Sequence, residues 1–241
     1  QLSHISVQPI ADNVLMPQSR RVAFAPSRTG QVEITDVDVL VDILEGTATT
    51  TLEVRLHNTS NRRQEAELIF PVPDGAVVRG FAYDGPGGML SAQVLPKDQA
   101  KQIYNSLVAK IRDPALAEFI GYNLIRSSVF PVEANGRQKV RLTYEHLLET
   151  DGSRVDYFLP RTESLDYKVP WKIKVEIRSK RPISTIYSPT HKLVGARGVD
   201  LTSMNLNDGP IVVTAYSEDG ITSPGPFRLS YLLAEKGVSA S

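Results

Sequence analysis

Carboxylates lead the side chains that could do chemistry. Asp36, Asp38 and Asp42 recur at even spacing through TDVDVLVD, which puts all three on one face of an extended chain. A calcium loop wraps six to eight oxygens around its ion through a sharp glycine turn. Same-face neighbours on a strand stand roughly 7 Å apart, so the trio reads as a solvated outer face. Glu65, Glu67 and Glu145 are the default candidates for a paired-carboxylate hydrolase. Such an enzyme needs two carboxyls roughly 5–5.5 or 6.5–9.5 Å apart across a cleft, and one polar strand face offers spacing without a cleft. His4, His57, His146 and His191 are scattered, with no HExxH and no pair at helical spacing, which argues against zinc. His146 reads as a partly buried residue near a strand end and His191 as a turn residue.

Nucleophiles fare no better. No Gly-x-Ser-x-Gly elbow occurs, and the absence of cysteine excludes disulfides, thiolate metal sites and a cysteine nucleophile. Gly85, Gly87 and Gly88 lie between two strand patterns rather than opening a helix, so they lack the dipole that makes glycine loops bind phosphate. They read as a hairpin tip. Arg178, Lys180 and Arg181 beside Pro182 form a short basic cluster without interleaved aromatics, a weak match to nucleic-acid binding and a better one to an edge strand protected by charge and proline. With 27 Lys plus Arg against 27 Asp plus Glu, no dominant electrostatic pull toward nucleic acid or an anionic membrane is expected. No apolar run is long enough to span a bilayer. Residue types and spacing therefore assign no catalytic, cofactor-binding or metal-ligating residue and no cofactor, and they single out no partner-binding residue.

The elements around these residues are mostly strands. Val37, Val39, Val41 and Ile43 alternate with Asp36, Asp38, Leu40 and Asp42, Glu45-Gly46 turns the chain, and Leu52, Val54 and Leu56 alternate back. Ala66, Leu68 and Phe70 follow a polar turn at 58–62. The runs 77–83 and 89–95 read as a hairpin around the glycines, and 127–132 and 138–148 as a hairpin across Asn135-Gly136. Val155, Tyr157 and Leu159 form another strand, and Trp171, Ile173, Val175 and Ile177 another, with the tryptophan covering one end of a second sheet. One stretch differs. Ala100, Ile103, Tyr104, Leu107, Val108 and Ile111 draw a helical stripe, with Pro96 at the first position and Asp113-Pro114 as the stop. The spacing predicts a long amphipathic helix over 96–112 and a short second one ending near Gly121. The predicted fold is mainly β, a sandwich-like domain with both helices packed at its side. Its expected organisation is an irregular lead-in over 1–31, a core over 32–160, a β-rich continuation or small subdomain over 161–234, and a linker-like tail over 235–241.

The segments AELIFPVPDGAVVRGFAY, PKDQAKQIYNSLVAK and RDPALAEFIGYNLIRSSVFPVEANGRQKVRLTYEHLL, in that order, resemble the VIT (vault protein inter-alpha-trypsin) domain from about Val32 to Pro160. VEIRSKRPISTIYSPTHKL resembles the segment that follows this core in bacterial members. The resemblance implies a non-catalytic protein-interaction or adhesion module. It implies an exported, secreted or cell-surface protein resembling inter-alpha-trypsin inhibitor heavy chains. It also implies a von Willebrand factor A domain downstream and a protein, matrix or cell-surface ligand. The Asp-x-Ser-x-Ser metal motif of that second domain does not occur in this chain. Starting at Gln1 rather than Met suits a removed signal peptide. Two other classes stay open: a stand-alone scaffold binding a peptide or glycan, and the carboxylate hydrolase above.

Overall fold

Alternation builds the largest sheet. In β2 (Val32–Leu44) Val37, Val39, Val41 and Ile43 are buried, while Asp36, Asp38, Leu40 and Asp42 face the other way. The same in-out pattern runs through β3 (Thr47–Asn58), β8 (Arg137–Leu147) and β11 (Trp171–Arg178), as it must when one face of a sheet is wet. The computed structural model describes residues 14–17, 32–84, 91–94, 98, 123–161, 169–195, 210–216 and 225–234. These form fifteen strands in three sheets. The seven-stranded sheet is completed by β5 (Val77–Asp84), β13 (Val194–Gly195) and β14 (Ile211–Tyr216), in the order β13–β14–β11–β2–β3–β8–β5. Within it β11 lies parallel to β2, Trp171 beside Val37, and the remaining pairs are antiparallel.

Two four-stranded sheets complete the fold. One is β1 (Val14–Leu15), β4 (Gln64–Pro71), β7 (Leu124–Val132) and β6 (Ser91–Val94). The other is β12 (Ile183–Tyr187), β15 (Phe227–Leu233), β10 (Arg154–Leu159) and β9 (Glu149–Asp151). Buried apolar side chains of all three sheets, among them Leu52, Phe70 and Leu229, form one cluster. Both small sheets therefore cover the same face of the large one, and its other face is left to solvent. Each fully buried aliphatic or aromatic side chain in that seam contributes roughly 1.5–3 kcal/mol. In β4 the opposite face is buried as well, with Glu67 and Ile69 almost inaccessible.

Two expected hairpins are not hairpins. β7 and β8, joined across Asn135-Gly136, do not pair: β7 bonds β4 and β6, whereas β8 bonds β3 and β5. β5 and β6 likewise lie in different sheets. The turn residues behave as expected, Asn135 being left-handed at φ 51°, but the connection passes from one layer to the other. The β3–β4 connection makes the same crossing beside it, and Asn58 ties the two together. Its buried amide donates to the carbonyls of Arg62 (2.7 Å), Val132 (3.0 Å) and Glu133 (2.9 Å). Its oxygen accepts from Ser60 N (3.0 Å) and Ser60 Oγ (2.7 Å). Main-chain bonds Asn58 N to Gly136 O (2.9 Å) and Asn135 N to Ser60 O (2.8 Å) close the joint. Carbonyls that a ladder would have used are taken by a side chain, so the turn serves a corner.

The helix expected over 96–112 lies outside the described residues apart from Asp98, which is helical, and the short second one lies outside them altogether. Trp171 is buried at the start of β11, between β14 and β2 in the large sheet, rather than at the end of a second sheet.

Candidate functional site

Cross-strand neighbours on the wet face of the large sheet pair by charge. Lys172, Asp38, Glu53 and Arg141 stand side by side across β11, β2, β3 and β8. Arg55 bridges Asp36 and also reaches Asp38 at 2.8 Å. The bond to Asp36 leads in raising the Arg55 guanidinium above its ordinary value, against the opposing effect of burial. Glu53 takes Arg141 at 2.7 Å and Lys139 at 2.9 Å. Partial burial pushes the Glu53 carboxyl up, but these bonds outweigh it and hold it below the usual carboxylate range. Arg178 pairs with Asp42 and Arg79 with Glu145. Exposed pairs of this kind add little to stability, because water and salt screen them. They leave a charge-balanced face rather than a cation site, with the three aspartates on the outer face that their spacing predicts.

Amid the charges stand exposed apolar side chains, namely Leu40, Leu44, Val77 and Leu147. Register puts Leu44 and Leu147 on either side of Thr47, and Val77 beside Glu145 on the next row in. Three of the four therefore gather at the end of the sheet that carries the Glu45-Gly46 turn. That end is anchored. Tyr231 Oη donates to Glu45 O (3.0 Å), Lys180 N donates to Glu45 Oε1 (2.8 Å), and Ala234 N donates to Pro182 O (2.7 Å). The 178–182 connection, with Arg178, Lys180, Arg181 and Pro182, thus lies between this patch and the end of β15. It leads into β12, an edge strand, although β11 itself is internal.

The three glutamates do not converge. Glu67 is buried in β4 and paired with Arg126, Glu145 faces solvent on β8 where Thr49 and Arg79 hold it, and Glu65 is exposed on β4. Burial pushes the Arg126 guanidinium below its ordinary value. Histidines also separate. His57 sits 3.6 Å from Glu33 on the outer face, and His4 and the glycines at 85, 87 and 88 lie outside the described residues.

Two buried clusters escaped the sequence reading. Between the large sheet and the β10 sheet, Thr50 Oγ1 and Tyr157 Oη bond at 3.0 Å, and the rings of Tyr144, His146 and Tyr157 follow one another, each tilted against the next. Burial pushes both phenols up and the His146 imidazole down to about 4. In the second cluster Arg161 lies over the Trp171 ring, 4.6 Å from its centroid, and its Nη1 donates to His191 Nε2 at 3.1 Å. That bond requires an unprotonated Nε2. Phe227 meets the His191 ring edge-on. All of these side chains are buried between the layers. Alternation marks Thr50, Tyr144, His146, Tyr157 and Trp171 as inward without saying what they meet, and Arg161 and His191 lie outside the strands and carry no such signal.

The geometry defines a mainly β domain, its large sheet covered on one side and open on the other. Residues 34–144 match the family model of the vault protein inter-alpha-trypsin domain. The chain carries a VIT domain, running from within β2 into β8. All of the β12–β15–β10–β9 sheet, with β11, β13 and β14, comes from sequence beyond that match. No curated protein matches the chain in sequence. A solved Legionella pneumophila protein, provisionally described as nutrient binding, is similar over 84% of this chain and 67% of that one, at 10% identity and a TM-score of 0.47.

Proposed function

We propose that this chain is a non-catalytic protein-interaction module of an exported, secreted or surface-displayed protein, supporting a von Willebrand A-type ligand-binding domain downstream and through it adhesion or matrix contact. The observation that carries the reading is the VIT match over 34–144. Two features of the molecule favour it. Charged groups on the open face neutralise one another instead of converging in a cleft. The apolar patch of Leu44, Leu147 and Val77 lies at the end where β15 finishes, joined to it through Glu45, the 178–182 connection and Ala234. A following domain would meet that patch first.

The reading treats 32–234 as one unit, because β11 sits between β14 and β2 and shares the common core. Its test is expression of the chain with and without its native downstream sequence, followed by binding to matrix and cell-surface ligands. The longer protein should bind, the isolated chain should not, and Leu44→Ser with Leu147→Ser should weaken the longer protein's ligand binding while leaving its melting temperature unchanged. Equal binding by the isolated chain would replace this reading with the stand-alone scaffold.

A further inference from the structure

Asn135-Gly136 is the sole Asn-Gly pair in the chain, and it lies at the corner where the chain leaves β7 for β8. Asparagine before glycine is the pair most prone to lose its side-chain amide, because glycine sets no side chain between its nitrogen and the asparagine Cγ. The fold requires that pair here. Gly136 N donates to Glu133 O at 2.9 Å, closing a four-residue turn whose third residue, Asn135, is left-handed at φ 51°. A Cβ on Gly136 would come within 2.9 Å of Glu133 O and 3.0 Å of Glu133 Cβ, so a larger residue would force the turn apart. Asparagine tolerates the left-handed position better than most residues do. Asn135 is also exposed, so water and base reach it.

The same corner restrains the reaction. Deamidation begins when Gly136 N gives up its proton and attacks Asn135 Cγ. The N–Cγ bond forms, the Cγ–Nδ2 bond breaks, and the side-chain nitrogen departs as ammonia with the proton that Gly136 lost. Water then opens the succinimide at either carbonyl, giving aspartate or isoaspartate. In the closed corner Gly136 N–H is committed to Glu133 O. Asn135 N donates to Ser60 O at 2.8 Å, and Gly136 O accepts from Asn58 N at 2.9 Å. The peptide linking Asn135 to Gly136 is thus held from both sides, and its nitrogen cannot swing toward Cγ until a local opening releases it. We propose that Asn135 is a deamidation site whose rate the closed corner governs, slow while 58–62 and 133–136 are joined and fast once they part. The isoaspartyl product prevents rejoining. It carries the main chain through Cγ, which adds a carbon between Asn135 N and Gly136 N and displaces the groups that Ser60, Asn58 and Glu133 bind. It also sets a new carboxylate close in sequence to Glu133, whose own charge is already met by Arg63 at 2.9 Å. Reaction therefore converts a transient opening of the layer crossing into a permanent one.

This goes beyond the interaction-module reading and is independent of it. The test incubates the whole chain in mildly alkaline buffer, with and without denaturing urea, and follows aspartate and isoaspartate at each asparagine by peptide mapping and mass spectrometry. In urea Asn135 should react ahead of the other asparagines. It should react at least about tenfold more slowly in the folded chain, because the corner's main-chain bonds must break first. Asn58→Asp, held under conditions where circular dichroism shows it folded, should speed the reaction at Asn135; if that variant does not fold, the wild-type comparison alone decides. The isoaspartyl form, purified by ion exchange, should melt below the unreacted chain. Asn135→Asp, which adds the charge without lengthening the main chain, should melt close to it. Equal rates with and without urea, a faster site elsewhere in urea, no acceleration in folded Asn58→Asp, or an isoaspartyl form as stable as the unreacted chain would each overturn the proposal.

Discussion

Replacing Asn58 by aspartate exchanges an NH2 for an oxygen and leaves the shape intact. The site tolerates that poorly. The amide nitrogen lies 2.7–3.0 Å from three carbonyl oxygens, those of Arg62, Val132 and Glu133, and the side chain is fully buried. A carboxylate there would face three acceptors, and a protonated carboxyl could satisfy one of them. Leaving a buried acceptor unbonded costs about 1–3 kcal/mol. With two or three stranded carbonyls at the edge of a turn, where some water can enter, the net loss should be about 3–5 kcal/mol. That is a large part of the roughly 5–15 kcal/mol typical of a domain. At about 2–4 °C per kcal/mol for a chain of this size, Tm should fall by roughly 6–20 °C. Urea and thermal melts followed by far-ultraviolet circular dichroism measure both. The sign with pH is also set. The introduced carboxyl is more easily protonated when folded than when unfolded, so its penalty relative to wild type should be largest near neutrality and shrink as pH falls toward the ordinary aspartate pKa. A loss below about 1 kcal/mol, or no change in the penalty with pH, would show that core packing holds the two layer crossings and that Asn58 merely fills space.

Three further outcomes follow from the buried polar groups. His146 titrates at about 4 in the folded chain against 6.5 ordinarily. The unfolded chain therefore takes up the proton first, and stability intact above neutral pH should decline by up to about 3 kcal/mol between pH 6.5 and 4. Urea midpoints across that range should show the decline, and His146→Leu should flatten it. Arg126→Leu strands the buried Glu67 carboxylate and should cost about 3–5 kcal/mol in a denaturant melt, most of it recovered by Glu67→Leu in the double variant. Tyr157→Phe removes the 3.0 Å bond to Thr50 and should cost about 1–2 kcal/mol. Adding Thr50→Val should cost little more, which a double-mutant cycle will read as coupling.

Strand by strand, much was legible. Val37, Val39, Val41 and Ile43 announced an inward face because side chains in a strand alternate strictly. The same rule placed Asp36, Asp38 and Asp42 outward before any partner was known. Glu45-Gly46 marked a true hairpin, Leu44 pairing with Thr47, and the VIT resemblance rested on the order of short motifs. Asn135-Gly136 shows where this stops. Its turn was legible, but a turn bends the chain without choosing the ladder that each arm joins. That choice depends on which apolar faces meet across the whole molecule, and it sent β7 to one layer and β8 to the other. Nothing beside Asn58 in the chain indicates that it binds Val132 and Glu133, more than seventy residues away. The parallel seat of β11 against β2, the contact of His146 with the Tyr157 ring, and the ion pairs of Arg55 and Arg178 are of the same kind. Residue type and periodicity determined which way each side chain faces. Only the packing of the three sheets around one core decided what it meets there, because that is settled by surfaces far apart in sequence and close in space.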